Sequence, residues 1–170
     1  SRENKVAART ESEKSVQKYL KDKFGFNVKY VNHPDKNING MELGDGNIYI
    51  NRNSEVDPGL IAAHELIHLV AKKNKPLFEK YFKPYIDVLT STHELFLDQL
   101  TPEWIDMYKN DPLALAEEII ADEVSSVVRD MLPDYPTHDT NKLGMLDSWL
   151  SKADRYSIQK ASKEFFDELL

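Results

Sequence analysis

The stretch AAHELIHLVAKK, residues 62–73, places His64, Glu65 and His68 within little more than one helical turn. On a helix, residues four apart stand one above the other. His64 and His68 then point the same way and can hold one zinc ion through imidazole nitrogens. Glu65 lies one step round the helix, where its carboxylate can reach a water on the metal without ligating it. Two ligands and a general base are the parts of a hydrolytic zinc site. Chance would put one H-E-x-x-H in such a chain about 1 % of the time. The competing reading, a core helix whose histidines hydrogen-bond elsewhere, is therefore the weaker one. Flanking Ala62, Ala63, Leu66, Ile67 and Val70 are apolar, so the helix is expected to be buried with both imidazoles facing inward.

A catalytic zinc needs a third protein ligand and an open position. The 170 residues include no cysteine, so that ligand must be an imidazole or a carboxylate. The metzincin continuation is absent, because Ala71 and Asn74 stand where its glycine and histidine would be. The stretch LALAEEIIADEVSSVVRDML (113–132) offers an acid instead. Glu118, Asp122, Ser125 and Arg129 recur at helical spacing as a narrow polar stripe, with Ile120, Val124, Val127, Val128 and Met131 on other faces. Glu118 is the expected third ligand, with Glu117 or Glu123 as alternatives. Asp122, one turn on, would accept the second N–H of a ligating histidine and fix its tautomer. Acidic residues near a helix start also favour the macrodipole without forming a site, which is the plain reading of Glu117 and Glu123. A tetrahedral intermediate wants a donor at its oxyanion. Tyr135 and His138, in the proline-rich LPDYPTHDT, are the candidates. His93-Glu94 lacks a second histidine at Asp98 and reads as a surface pair. His33 reads as a turn residue, and Trp104, Trp149, Phe165 and Phe166 as core.

The elements that must position these groups can be read from punctuation and periodicity. Residues 3–23 carry Val6, Val16, Tyr19 and Leu20 on one stripe and end at Gly25, a helix with its stop. FNVKYVN (26–32) alternates as a strand does. MEL and NIYIN follow, separated by GDG, which can close a hairpin. Asp57-Pro58 supplies a cap and a first-turn proline for a helix from 58 to about 73. Thr101-Pro102 and Asp111-Pro112 repeat that start, the second opening a helix from 112 to about 131 that Pro133 and Pro136 end. Pro84 marks a kink or break in 75–100. Further helices are expected over 140–150 and 154–169, the latter begun by a Ser151-x-x-Asp154 capping box. The expectation is a single α+β domain over residues 1–170, mostly helical, with a small antiparallel sheet and an active-site helix.

His64-Glu65-x-x-His68 followed by Glu118-x-x-x-Asp122 resembles the gluzincin metallopeptidases, the thermolysin-like clan. The closer likeness is to the small ImmA/IrrE-type peptidase domains. Their second motif is matched by Glu118, Ala121 and Asp122, and their strand before the active-site helix is similar to GNIYINRNSEVDPGLIAAHELIHL. The resemblance covers residues 46–72 and 115–128. It implies a zincin-like fold, one Zn2+ per chain, and hydrolysis of a protein or peptide substrate with Glu65 as base. The separation of His68 from Glu118 is longer than those domains show, so 74–111 would be a helical insertion. NIYIN would present an exposed edge beside the cleft, to which an extended peptide adds by backbone pairing. Two rival readings are a catalytically inactive zincin-like interaction module and a zinc hydrolase of a non-peptide amide.

The composition excludes other classes. A net charge of -7 disfavours nucleic acid as a partner. No apolar run approaches the ~20 residues of a membrane span, and no leader-like stretch opens the chain. A cytoplasmic protein is therefore expected, although a first residue of Ser1 rather than Met fits a piece of a longer chain.

Overall fold

The computed structural model describes residues 2–42, 45–131 and 152–170. The expectations for Pro133, Tyr135, Pro136, His138, Trp149, Ser151 and a helix over 140–150 lie outside the described residues. Among the described ones the fold is α+β and mostly helical, with one three-stranded sheet.

α1 (Arg2–Phe24) stops at Gly25, whose φ of +75° only glycine adopts without strain. The Gly25 N–H closes onto the Lys21 carbonyl at 2.9 Å, a left-handed cap. The chain turns at once into β1 (Asn27–Val31), with Val28 buried between exposed Asn27 and Lys29. β2 (Gly40–Glu42) and β3 (Asn47–Asn51) form the expected antiparallel hairpin. The sheet as a whole is mixed rather than antiparallel. β1 pairs parallel with β3, Asn27 opposite Asn47 through Val31 opposite Asn51, and the strand order is β1-β3-β2. β3 carries Ile48 and Ile50, both 0 % exposed, and burial of that pair draws it to the centre, where both sides of its backbone are paired.

α2 (Pro58–Lys73) has the bounds the sequence implies. Asp57 Oδ1 accepts from the Gly59 N–H at 3.1 Å and the Asp57 carbonyl accepts from Ile61, so Asp57 caps the helix. Ile61, Ala62, Ala63, Leu66 and Ile67 are at most 1 % exposed, which makes α2 an interior helix. α6 (Pro112–Met131) begins the same way, with Asp111 Oδ1 accepting from Ala114 at 3.0 Å.

The chain divides into two compact units, and the division passes through α2 after Leu69 and α6 after Val124. In the first, Val16, Leu20, Phe24 and Phe26 join Val28, Ile48 and Ile50 in one core. Arg52 reaches the buried Glu13 through two bonds of 2.8 and 2.7 Å, fork on carboxylate. β2 lies hard against α2. A Cβ on Gly40 would stand 2.7 Å from both Ile61 Cγ2 and the Tyr49 carbonyl oxygen, and 3.7 Å from Glu65 Cγ. Gly40→Ala is therefore expected to cost about 1–3 kcal/mol, as overpacking does, read as a lowered urea midpoint with the slope unchanged. An unchanged midpoint would mean that β2 is not held against the helix.

In the second unit α3 (Lys75–Ser91) packs on α7 (Lys152–Leu169). Phe78 and Phe82 meet Phe165 edge-on, with centroids 6.1 and 5.7 Å apart. Pro84 does not break α3. It lies on the exposed side, where the carbonyl it deprives of a donor can turn to water. Lys80 and Glu168 pair at 2.9 Å. The hydrogen bond raises the amine's pKa and lowers the carboxyl's, and solvent screens the pair.

α4 (His93–Leu97) and α5 (Pro102–Tyr108) complete the helices of 74–111. Two residues in this stretch differ from the expectation. His93 is not a surface residue. It is 7 % exposed, with Nε2 3.4 Å from the Lys109 carbonyl beyond α5. Trp104 is not core, because α5 fully buries nothing and Trp104 stacks on Tyr108 with centroids 5.4 Å apart. No described helix is long and apolar enough to cross a membrane.

Candidate metal centre

The imidazoles of α2 stack one turn apart because the helix repeats every ~3.6 residues. Nε2 of His64 and Nε2 of His68 face each other across 3.1 Å. Two nitrogens bound tetrahedrally to one zinc at ~2.0–2.1 Å stand about 3.3 Å apart, so the pair already has close to the required bite. The rings cross at 66°, with centroids 4.8 Å apart. His64 is 7 % exposed, whereas His68 and Glu118 are half-buried.

Glu118 is the acid that arrives. One ligand atom from each of His64, His68 and Glu118 lies within 4.8 Å of the other two. That is wider than a coordinated set by about 1.5 Å at most, within reach of carboxylate torsions. Among the described residues this is the group that could hold a metal ion, and Glu117 and Glu123 are not in it. Two imidazoles and a carboxylate suit zinc and its neighbours among the transition metals, and the set leaves a tetrahedral position over.

The sequence positions the carboxylate through a second contact. Arg129 Nε donates to Asp57 Oδ2 at 2.8 Å, and the Asp57 side chain is 2 % exposed. Asp57 and His68 are eleven positions apart, and so are Glu118 and Arg129. Eleven residues make about three turns and ~16 Å, which returns to nearly the same face. The Asp57–Arg129 bond ties the start of α2 to the end of α6, and Glu118 lies about three turns before Arg129 on α6. The start of α2 leaves room for the guanidinium, since a Cβ on Gly59 would lie 3.1 Å from Arg129 Nε. The stripe of Glu118, Asp122, Ser125 and Arg129 was legible in the sequence. The meeting of Arg129 with Asp57 was not, because Asp57 already had a role as helix cap.

Glu65 is half-buried and adjacent to β2, as the 3.7 Å from its Cγ to the Gly40 Cβ position shows. NIYIN does not supply the exposed edge expected of it, because β3 is the central strand. The edge on the Glu65 side is β2. Gly40 was missed, and its only sequence signal was a glycine opening a short apolar run.

No protein-family model, curated protein or solved structure matches the chain. The chemistry of the site is what bears on function.

Proposed function

We propose that this protein is a zinc metallopeptidase, with His64, His68 and Glu118 as metal ligands and Glu65 as general base. The observation that carries the reading is the 3.1 Å bite of the two imidazoles, with a carboxylate from a separate helix within 4.8 Å. Zinc held there supplies Lewis acidity, lowering the pKa of water toward ~7 and polarising a carbonyl. Glu65, one position on from a ligand, takes the proton of the attacking water and delivers it to the leaving amine. Asp122, one turn after Glu118 on α6, is assigned to accept the second N–H of a ligating histidine and so fix its tautomer. An extended peptide fits the site better than a small amide, because β2 offers backbone groups at a sheet edge beside Glu65.

The test is zinc per chain by elemental analysis. The wild type should carry one, whereas His64→Ala and Glu118→Ala should each fall well below it at micromolar protein. Full zinc in Glu118→Ala would remove Glu118 as ligand. A metal-free wild type would remove the enzyme and favour an interaction module.

A further inference from the structure

Beside the β2 edge lies a cavity of about 300 Å³, lined by Val31, Pro34, Ile38, Met41 and Tyr49 among others. Its lining is almost wholly apolar. Paired strand residues share a face, so Met41 and Tyr49 stand together on the side of the sheet opposite Gly40, Ile48 and Ile50. Val31 and Met41 at this cavity remain 38 % and 39 % exposed, though both are large apolar residues.

The cavity is preformed. Residues 32–38 make one wall, and the 1 % exposed Asn51 holds them with its whole side chain. Its Oδ1 accepts from the backbone N–H groups of His33 and Asn53 at 2.9 and 3.0 Å. Its Nδ2 donates to the carbonyls of Asp35 and Ile38 at 3.0 and 2.8 Å. The amide is thereby saturated and offers nothing to a ligand.

Small-molecule sites orient their ligands with a few well-placed polar groups. Among the described residues the lining exposes almost no polar surface, so the suitable occupant is a side chain whose backbone is fixed elsewhere. β2 can fix it. The Asn51 N–H donates to the Asn39 carbonyl at 2.8 Å, so Asn39 and, two residues on, Met41 turn their backbone groups inward to β3. Gly40 and Glu42 turn theirs to the open edge. A peptide paired there alternates. Side chains level with Gly40 face α2 and Glu65, and the neighbour level with Met41 faces the cavity side.

We infer that this cavity is a specificity subsite for one apolar side chain, of Leu, Met or Phe size, on an extended peptide paired with β2. The side chain it takes adjoins in sequence the residue presented to the metal helix. This inference rests on the peptidase reading for where the peptide lies, and its test does not depend on turnover.

Zinc-loaded Glu65→Gln protein is titrated with two pools of acetylated, amidated, fluorescently labelled heptapeptides. The pools differ only in carrying Leu, Met and Phe or Ser, Asn and Asp at the central position. The apolar pool should bind roughly tenfold tighter, the discrimination expected of an apolar pocket. Adding Met41→Lys, or separately Val31→Asp, should reduce that ratio to about threefold or less with zinc content unchanged. Both positions are exposed, so the fold should tolerate the changes. Equal binding of the pools, no binding, or a preference surviving in both variants would overturn the subsite. The enzymatic reading fails on other grounds. Wild-type protein that cleaves both pools equally keeps the peptidase and loses the subsite. Wild-type protein that cleaves neither, while Glu65→Gln keeps the Met41-dependent preference, loses the peptidase and keeps the subsite.

Discussion

Glu65→Gln should retain one zinc per chain and lose peptide hydrolysis by roughly 10²–10⁴-fold, the usual contribution of a positioned general base. The substitution keeps the side chain's length and volume, so the packing of this half-buried position beside Gly40 is undisturbed. It removes the negative charge and with it the ability to accept a proton. Glu65 is outside the group of His64, His68 and Glu118 that could hold the metal, and zinc content should match the wild type. Both quantities are read from one preparation, metal by elemental analysis and turnover by mass spectrometry of a peptide-pool digest. Loss of zinc together with activity would make Glu65 a ligand or a support for one. Undiminished turnover would show that the proton goes elsewhere. A variant that keeps its metal and stops cutting is the result that separates a base from a ligand.

The parts of the fold legible in the sequence are those fixed by local chemistry. Asp57-Pro58 and Asp111-Pro112 begin helices because a carboxylate cap and a first-turn proline act within four residues, and both helices begin where those pairs place them. His64 and His68 converge because helical pitch alone requires it. What was not legible depends on partners distant in sequence. Alternation in FNVKYVN specifies a strand with a buried face, but not that β1 runs parallel to β3. NIYIN looked the same whether central or at an edge, and only the pairing of both its sides decides that. His93 has a polar neighbourhood in sequence, yet it turns inward where the end of α5 supplies a carbonyl. Pro84 reads as a kink or break from sequence alone, and its tolerance rests on the exposure of that face of α3. Glu118 stands out in the sequence by its place in a polar stripe, whereas its approach to the imidazoles depends on a partner distant in sequence.

The Asp57–Arg129 contact leads to the second large effect. Arg129→Ala should destabilise the protein by about 3–5 kcal/mol, because removing one partner strands a charge that water cannot reach. The Asp57 side chain is 2 % exposed and its other oxygen caps α2, so neither can turn to solvent without undoing the helix start. For a chain of this length the loss corresponds to a fall in melting temperature on the order of 10 °C. The charge, not the contact area, is the cause, and a second substitution separates the two. Asn is as good a helix cap as Asp. Adding Asp57→Asn to Arg129→Ala removes the stranded charge while keeping the cap, and most of the stability should return. If the double variant is no better than Arg129→Ala, packing of the long arginine stem is what matters. The zinc site should feel the same change, since Glu118 lies about three turns from Arg129 on the same helix. Zinc affinity should therefore fall in Arg129→Ala and remain reduced in the double variant, which regains stability without regaining the bond between α2 and α6.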